Sequence, residues 1–152
     1  MFSTFAFSLS PLNSTELMPF EIKYESDFYR IEVDAANTLL RATWLRNVND
    51  REMITGGTKL FEVCCDTKVE RAIAYMQALG ALNPEAKEWM STKFYKLLSL
   101  TPLKKLARIL PSSLFHRLSL ESVVTRAEAL GVTKFTVKNF VDQDQALEWL
   151  VE

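Results

Sequence analysis

Three segments decide the fold: Arg71-Ala72-Ile73-Ala74-Tyr75-Met76, running through Leu79 to a turn at Gly80; Asn83-Pro84-Glu85; and Lys105-Leu106-Ala107-Arg108-Ile109-Leu110-Pro111. The two outer segments read as strands. Between them Ala86, Trp89, Met90, Phe94 and Leu97 recur every three or four residues, the period of a helix with one apolar face. Asn83 can accept from the orphan N–H groups at that helix start, and Pro84 suits its first position. Pro111 lacks the donor that a continuing strand needs. A strand, a helix and a second strand in succession make the strands parallel neighbours joined by a right-handed crossover.

The helix-start pattern recurs at Asn49-Asp50-Arg51-Glu52, Ser119-Leu120-Glu121 and Asp142-Gln143-Asp144-Gln145. Each pairs a side chain able to accept at a helix start with an acidic or amide residue in the first turn. From Asp50 to about Asp66 the apolar set Met53, Ile54, Leu60, Phe61 and Cys64 fits helical spacing. Gly56-Gly57 within that stretch costs about 1 kcal/mol per glycine relative to alanine, so the pair marks close packing or a kink. Ser112 is expected to cap a short turn through Leu114 and Phe115. Ser119 then opens a helix with Leu120, Val123, Val124, Ala127 and Leu130 on one side, and Gly131 stands at its left-handed C-terminal cap. Lys134 to Phe140 alternates as a strand, and Asp142 begins a closing helix with Ala146, Leu147 and Leu150 turned inward.

Towards the N-terminus, Phe20 to Tyr24 and Phe28 to Val33 flank a Ser26-Asp27 turn, and Leu39 to Trp44 follows Asp34-Ala35-Ala36-Asn37. These runs read as antiparallel strands. The expected fold class is therefore α/β: N-terminal antiparallel strands followed by alternating αβαβαβα, with a mixed central sheet flanked by helices. Residues 18–152 read as a single domain. Residues 1–17 read as an N-terminal extension, apolar at Phe2, Phe5, Phe7 and Leu9 but without the positively charged start of a secretion signal.

Of the 152 residues 48% are hydrophobic, enough to build a core, and the net charge of −1 argues against a polyanion-binding domain. Lys87, Lys93, Lys96, Lys104, Lys105 and Arg108 form a basic stretch, but no nucleic-acid motif accompanies it. No apolar run approaches the ~18 to 20 residues that span a bilayer, so an integral membrane protein is not expected. The adjacent Cys64-Cys65 cannot staple distant segments and lacks a second pair of zinc ligands. Buried, reduced thiols suit a cytoplasmic setting.

Candidates for chemistry have simpler structural explanations. His116 is the only histidine, and neither Ser112 nor Ser113 beside it sits in a Gly-x-Ser-x-Gly elbow. Glu85 and Glu88, like Asp142 and Asp144, occupy positions where acidic groups stabilise a helix start. No residue is assigned to catalysis, to a cofactor or to a metal. The expected ligand or partner surface lies where strands end, because open α/β sheets bind there: Trp44, with Gln77, Asn83 and Ser112 as neighbours.

Taken together, the strand ending in Trp44, the pair Glu88-Trp89, the run Lys105 to Pro111, the start Leu118-Ser119 and the terminal Phe140-Val141-Asp142 to Ala146-Leu147-Glu148-Trp149-Leu150 give the chain its likeness. Across about Phe20 to Glu152 it resembles the small bacterial STAS-like proteins grouped with SpoIIAA-like and SEC14-like domains. The resemblance implies a non-catalytic domain, some of whose relatives are signalling partners while SEC14-like ones hold lipids. The phosphorylatable serine of the anti-sigma-factor antagonists has no counterpart in Gln77-Ala78-Leu79-Gly80-Ala81-Leu82-Asn83-Pro84, and the next serine is Ser91. Two functions are thus expected from different classes. One is an interaction or regulatory module for a protein partner, possible as a homodimer. The other is a carrier of a small apolar or lipid-like ligand.

Overall fold

The computed structural model describes residues 20–152, so the expected extension at residues 1–17 lies outside the described residues. The chain opens with three strands, β1 (Glu21–Glu25), β2 (Tyr29–Asp34) and β3 (Leu39–Trp44). There follow α1 (Asp50–Thr67), β4 (Arg71–Tyr75), α2 (Pro84–Trp89), a π-helical turn (Met90–Phe94) and α3 (Tyr95–Leu98). The chain closes with β5 (Lys105–Ile109), α4 (Leu114–Ala129), β6 (Thr136–Phe140) and α5 (Gln143–Val151).

The six strands form one sheet in chain order, β1 to β6. The first two pairings are antiparallel and the remaining three parallel, as the alternation of strands and helices requires. Because the parallel strands step in one direction, the right-handed crossovers put their helices on one face. There Tyr29, Ile31, Leu40, Ala42, Ala74 and Leu106 pack against Met53 and Leu60 of α1, Met90, Phe94 and Tyr95, and Leu120 and Val123 of α4. Among the described residues only α5 covers the opposite face, where Ala146 and Leu150 meet Ile73, Ala107 and Ile109.

Most helix boundaries have their expected local causes. Asn49 Oδ1 accepts from the Glu52 backbone N–H at 2.8 Å while Glu52 Oε1 accepts from that of Asn49 at 3.0 Å, which is a complete capping box. Asn83 and Asp142 cap α2 and α5 in the same manner, each accepting from a first-turn N–H. At the end of α4, Gly131 has φ +72°; its N–H bonds Glu128 O and that of Val132 bonds Ala127 O, the paired bonds of a Schellman cap.

Two expectations are corrected. Ser119 does not open a helix, and Ser112 caps no separate turn: α4 runs unbroken from Leu114, with Ser113 at its N-cap position. Nothing between Leu114 and Ser119 interrupts helical geometry, and the Ser119 hydroxyl accepts from the Leu82 N–H at 3.3 Å instead of capping. In the central helix the apolar register slips. The π turn inserts extra backbone, so the inward face continues through Phe94, Tyr95 and the fully buried Leu98, whereas Leu97 is only half-buried.

Candidate functional site

Of the four residues expected to share one surface, Trp44 and Gln77 are turned to opposite faces of the sheet. Trp44 is a packing residue, 6% exposed, stacked on Tyr29 with ring centroids 3.8 Å apart. Gln77 is exposed and borders an open hollow on the helix-poor face of the sheet. Asn83 caps α2, and Ser112 is exposed in the loop before α4.

The hollow that Gln77 borders measures about 320 Å³ and is framed by Arg30, Glu32, Arg41 and Tyr75. Strand alternation places these side chains opposite the main core. Glu32 Oε1 and Oε2 accept from Arg41 at 3.0 and 3.1 Å, and Arg30 stands 3.4 Å away. Burial pushes the Glu32 carboxyl up, but the two arginines outweigh it and hold the group below the ordinary glutamate range. Burial raises Tyr75. With Glu25 3.7 Å from Arg30, this is a charge-balanced cluster of two arginines and two glutamates.

The carboxyl ends of β5 and β6 form a second groove, of about 380 Å³. Leu110, Asn139, Phe140 and Val141 supply the strand ends, Arg117 and Glu121 come from α4 and Gln145 from α5. Leu114, Arg117, Leu118 and Glu121 are spaced i, i+3, i+4 and i+7, so one face of α4 carries both the groove wall and two leucines. Leu114 is 59% exposed, Phe115 70%, Leu118 53% and Val141 71%. His116, half-buried, lies with its ring 5.9 Å from that of Phe115. Spacing alone could have found this face, had α4 been read from Leu114.

The interior holds a charged side chain that is not among the expected site residues. Arg108, counted above in the basic stretch, is 1% exposed and lies in the main core. Its Nε donates to Asn139 Oδ1 at 2.9 Å, Nη1 to Tyr95 Oη at 2.8 Å and Nη2 to Leu120 O at 2.7 Å. The signal was present: in β5, Arg108 shares strand parity with Leu106 and Leu110 and so faces the helices. Beside it is an enclosed cavity of about 20 Å³, room for a single water-sized molecule.

Other candidates resolve into structure. Glu88 bridges α2 to Arg126 of α4 at 3.1 Å. Ser91, the first serine after the loop that would hold a phosphoserine, is 1% exposed and donates to Val123 O. Cys64 is buried and Cys65 exposed, both as free thiols. Among the described residues no three His, Cys, Asp or Glu side chains gather as a metal site, and no helix is long and apolar enough to cross a membrane.

No protein-family model matches the chain, and no curated protein sequence matches it. A solved structure does: an uncharacterised protein of the DUF3478 family with a SpoIIAA-like fold, from Shewanella loihica PV-4. The two share 20% identity with a TM-score of 0.50, over 86% of this chain and 91% of the other. Three antiparallel-joined strands leading into parallel crossovers, with one closing helix on the far face, therefore constitute a SpoIIAA-like α/β fold, the architecture implied by the STAS-like resemblance.

Proposed function

We propose that the protein is a STAS-like interaction or regulatory module that binds a protein partner, without chemistry of its own and without the usual phosphoserine switch. The observation that carries this reading is the exposed apolar set Leu114, Phe115 and Leu118 on the first turns of α4, together with Val141, which lines the groove at the ends of β5 and β6. Single exposed apolar residues are ordinary, but a contiguous group rimmed by polar ones marks interaction surfaces. Here Arg117, Glu121 and Lys138 provide the rim. The buried state of Ser91 supports regulation by contact instead of phosphorylation there.

The carrier reading is weaker. A small-molecule site usually has a volume of ~300 to 1,000 Å³, whereas the enclosed cavity measures about 20 Å³. A lipid-like body would enter there only after the side chains around the cavity repacked.

The test compares wild-type protein with a Phe115→Asp/Leu118→Asp double variant as bait in the native host. Both positions are exposed, so the fold and Tm should be retained. A defined partner should bind wild type and lose roughly tenfold or more in affinity for the variant. Undiminished binding of that partner to the folded variant, or saturable substrate turnover by the purified protein, would overturn the proposal.

A further inference from the structure

We infer that Arg108 and the cavity beside it form a binding site for an apolar monocarboxylate, with the carboxylate on the guanidinium and the body among the cavity's aromatic and methionine side chains. This inference is independent of the partner-binding surface. It begins with the charge balance of the core. Arg108 has three hydrogen-bond partners, and each is a neutral group: an amide, a phenol and a backbone carbonyl. None of the nine ion pairs of the described residues includes it.

A guanidinium has five N–H donors, so one N–H on each of Nη1 and Nη2 has no partner among the described residues. A desolvated cation among neutral acceptors is costly, and it is repaid best by an anion. Two N–H groups, one per Nη, are the number that an end-on carboxylate takes, and the planar fork of arginine matches that geometry.

The wall beside this cation is built to yield. Met53, Met76 and Met90 all line the cavity, three of the chain's five methionines. Unbranched thioethers repack around new shapes more readily than branched side chains. Trp89 forms the side nearest solvent, half-buried and resting on Gly57. The π turn Met90–Phe94 contributes Met90 and Phe94 to the lining, and such turns recur at functional sites. A ligand larger than water therefore enters by displacing Trp89 and repacking methionines, and the cavity of about 20 Å³ is the closed state of the site.

The experiment uses the full chain with three probes of equal length at matched ionic strength: hexanoate, hexanol and hexylamine. Trp44 and Trp89 line the cavity, so tryptophan emission reports entry; thermal unfolding reports binding. Hexanoate should shift the emission saturably and raise Tm, hexanol should bind at least tenfold more weakly, and hexylamine should do neither. Arg108→Met should abolish the hexanoate response. Should that variant fail to fold, the comparison of probes on wild type decides alone. No saturable hexanoate response, equal responses to hexanoate and hexanol, or an intact hexanoate response in folded Arg108→Met would each overturn the inference.

Discussion

Substituting alanine for Gly56 tests how tightly the helices are set on the sheet. Elsewhere in a helix this change is stabilising by about 1 kcal/mol, because glycine has the greater backbone entropy to lose. At Gly56 the new Cβ would stand 2.6 Å from Trp44 Cη2, 3.0 Å from Trp44 Cζ3 and 3.0 Å from Tyr29 Cδ2. Comfortable carbon contacts are ~3.5 to 4.0 Å, so the indole must retreat by about 1 Å. It has nowhere easy to go: Trp44 is 6% exposed and stacked on Tyr29, itself 1% exposed. Overpacking of this kind costs about 1 to 3 kcal/mol, and a ring backed by buried neighbours puts Gly56→Ala in the upper part of that range, about 2 to 3 kcal/mol. Against the helix gain, the expected net loss is about 1 to 2 kcal/mol, or about 2 to 8 °C in Tm for a chain of this size. Gly57→Ala is the internal control, with the same helix gain and a Cβ 2.7 Å from Trp89 Cη2. Trp89 is half-buried and can swing outward, so Gly57→Ala should be nearly neutral in stability while altering tryptophan emission. Urea unfolding followed by circular dichroism and fluorescence measures both variants. A Gly56→Ala protein as stable as wild type, with an unchanged m-value, would refute the reasoning.

Thiol chemistry and acid stability provide further tests. Burial pushes the Cys64 thiol up to about 12, while Cys65 is exposed, so a disulfide reagent at pH 8 should modify one thiol rapidly in native protein and two after denaturation; two rapid reactions in the native state would contradict this. Glu32 has its folded pKa held below the ordinary 4.5, with burial opposing and Arg41 and Arg30 prevailing. Such a group's contribution is present in full above the unfolded value and is lost as pH falls through the folded one. Glu32→Gln should therefore be less stable than wild type at pH 7, and the two Tm curves should converge as pH drops below about 4.5; parallel curves would show that the ion-pair cluster is not responsible.

The sheet was legible because its signals are local and redundant. Leu39–Trp44 matches its expected strand residue for residue, and every crossover helix has a capping or periodic signature close to its true start except α4. There a serine was read as a cap. Ser119 carries the right side chain, but capping needs non-helical backbone at that residue, which sequence does not reveal. The same limit explains Leu97. A 3.6-residue period extrapolated through Met90–Phe94 points to Leu97, and only tertiary packing creates the π turn that brings Leu98 inward. Proximity to strand ends also leaves the face undetermined: Trp44 and Gln77 both lie near such ends, but side chains at successive positions point to opposite faces. Trp44 faces the helices, whereas Gln77 borders the hollow on the other side.

The same alternation bears on how a partner could reach the protein. An open sheet has two edges, and a dimer through either is the usual expectation for a small α/β chain, yet both are blunted here. In β1 the pairing register shifts between Ile22 and Tyr24, at the exposed Lys23, with Glu21 and Glu25 on either side. In β6 the exposed Lys138 sits at the middle of a five-residue strand, so antiparallel pairing of two copies centred there would oppose lysine to lysine. Irregular register, short length and edge lysines all hinder strand addition. The ends of β5 and β6 have no such protection, and there Leu114, Phe115, Leu118 and Val141 remain in solvent. Association through side chains at the sheet's carboxyl end is therefore favoured over strand pairing at its edges, which is why Phe115 and Leu118, and not a β6 residue, are the positions to change.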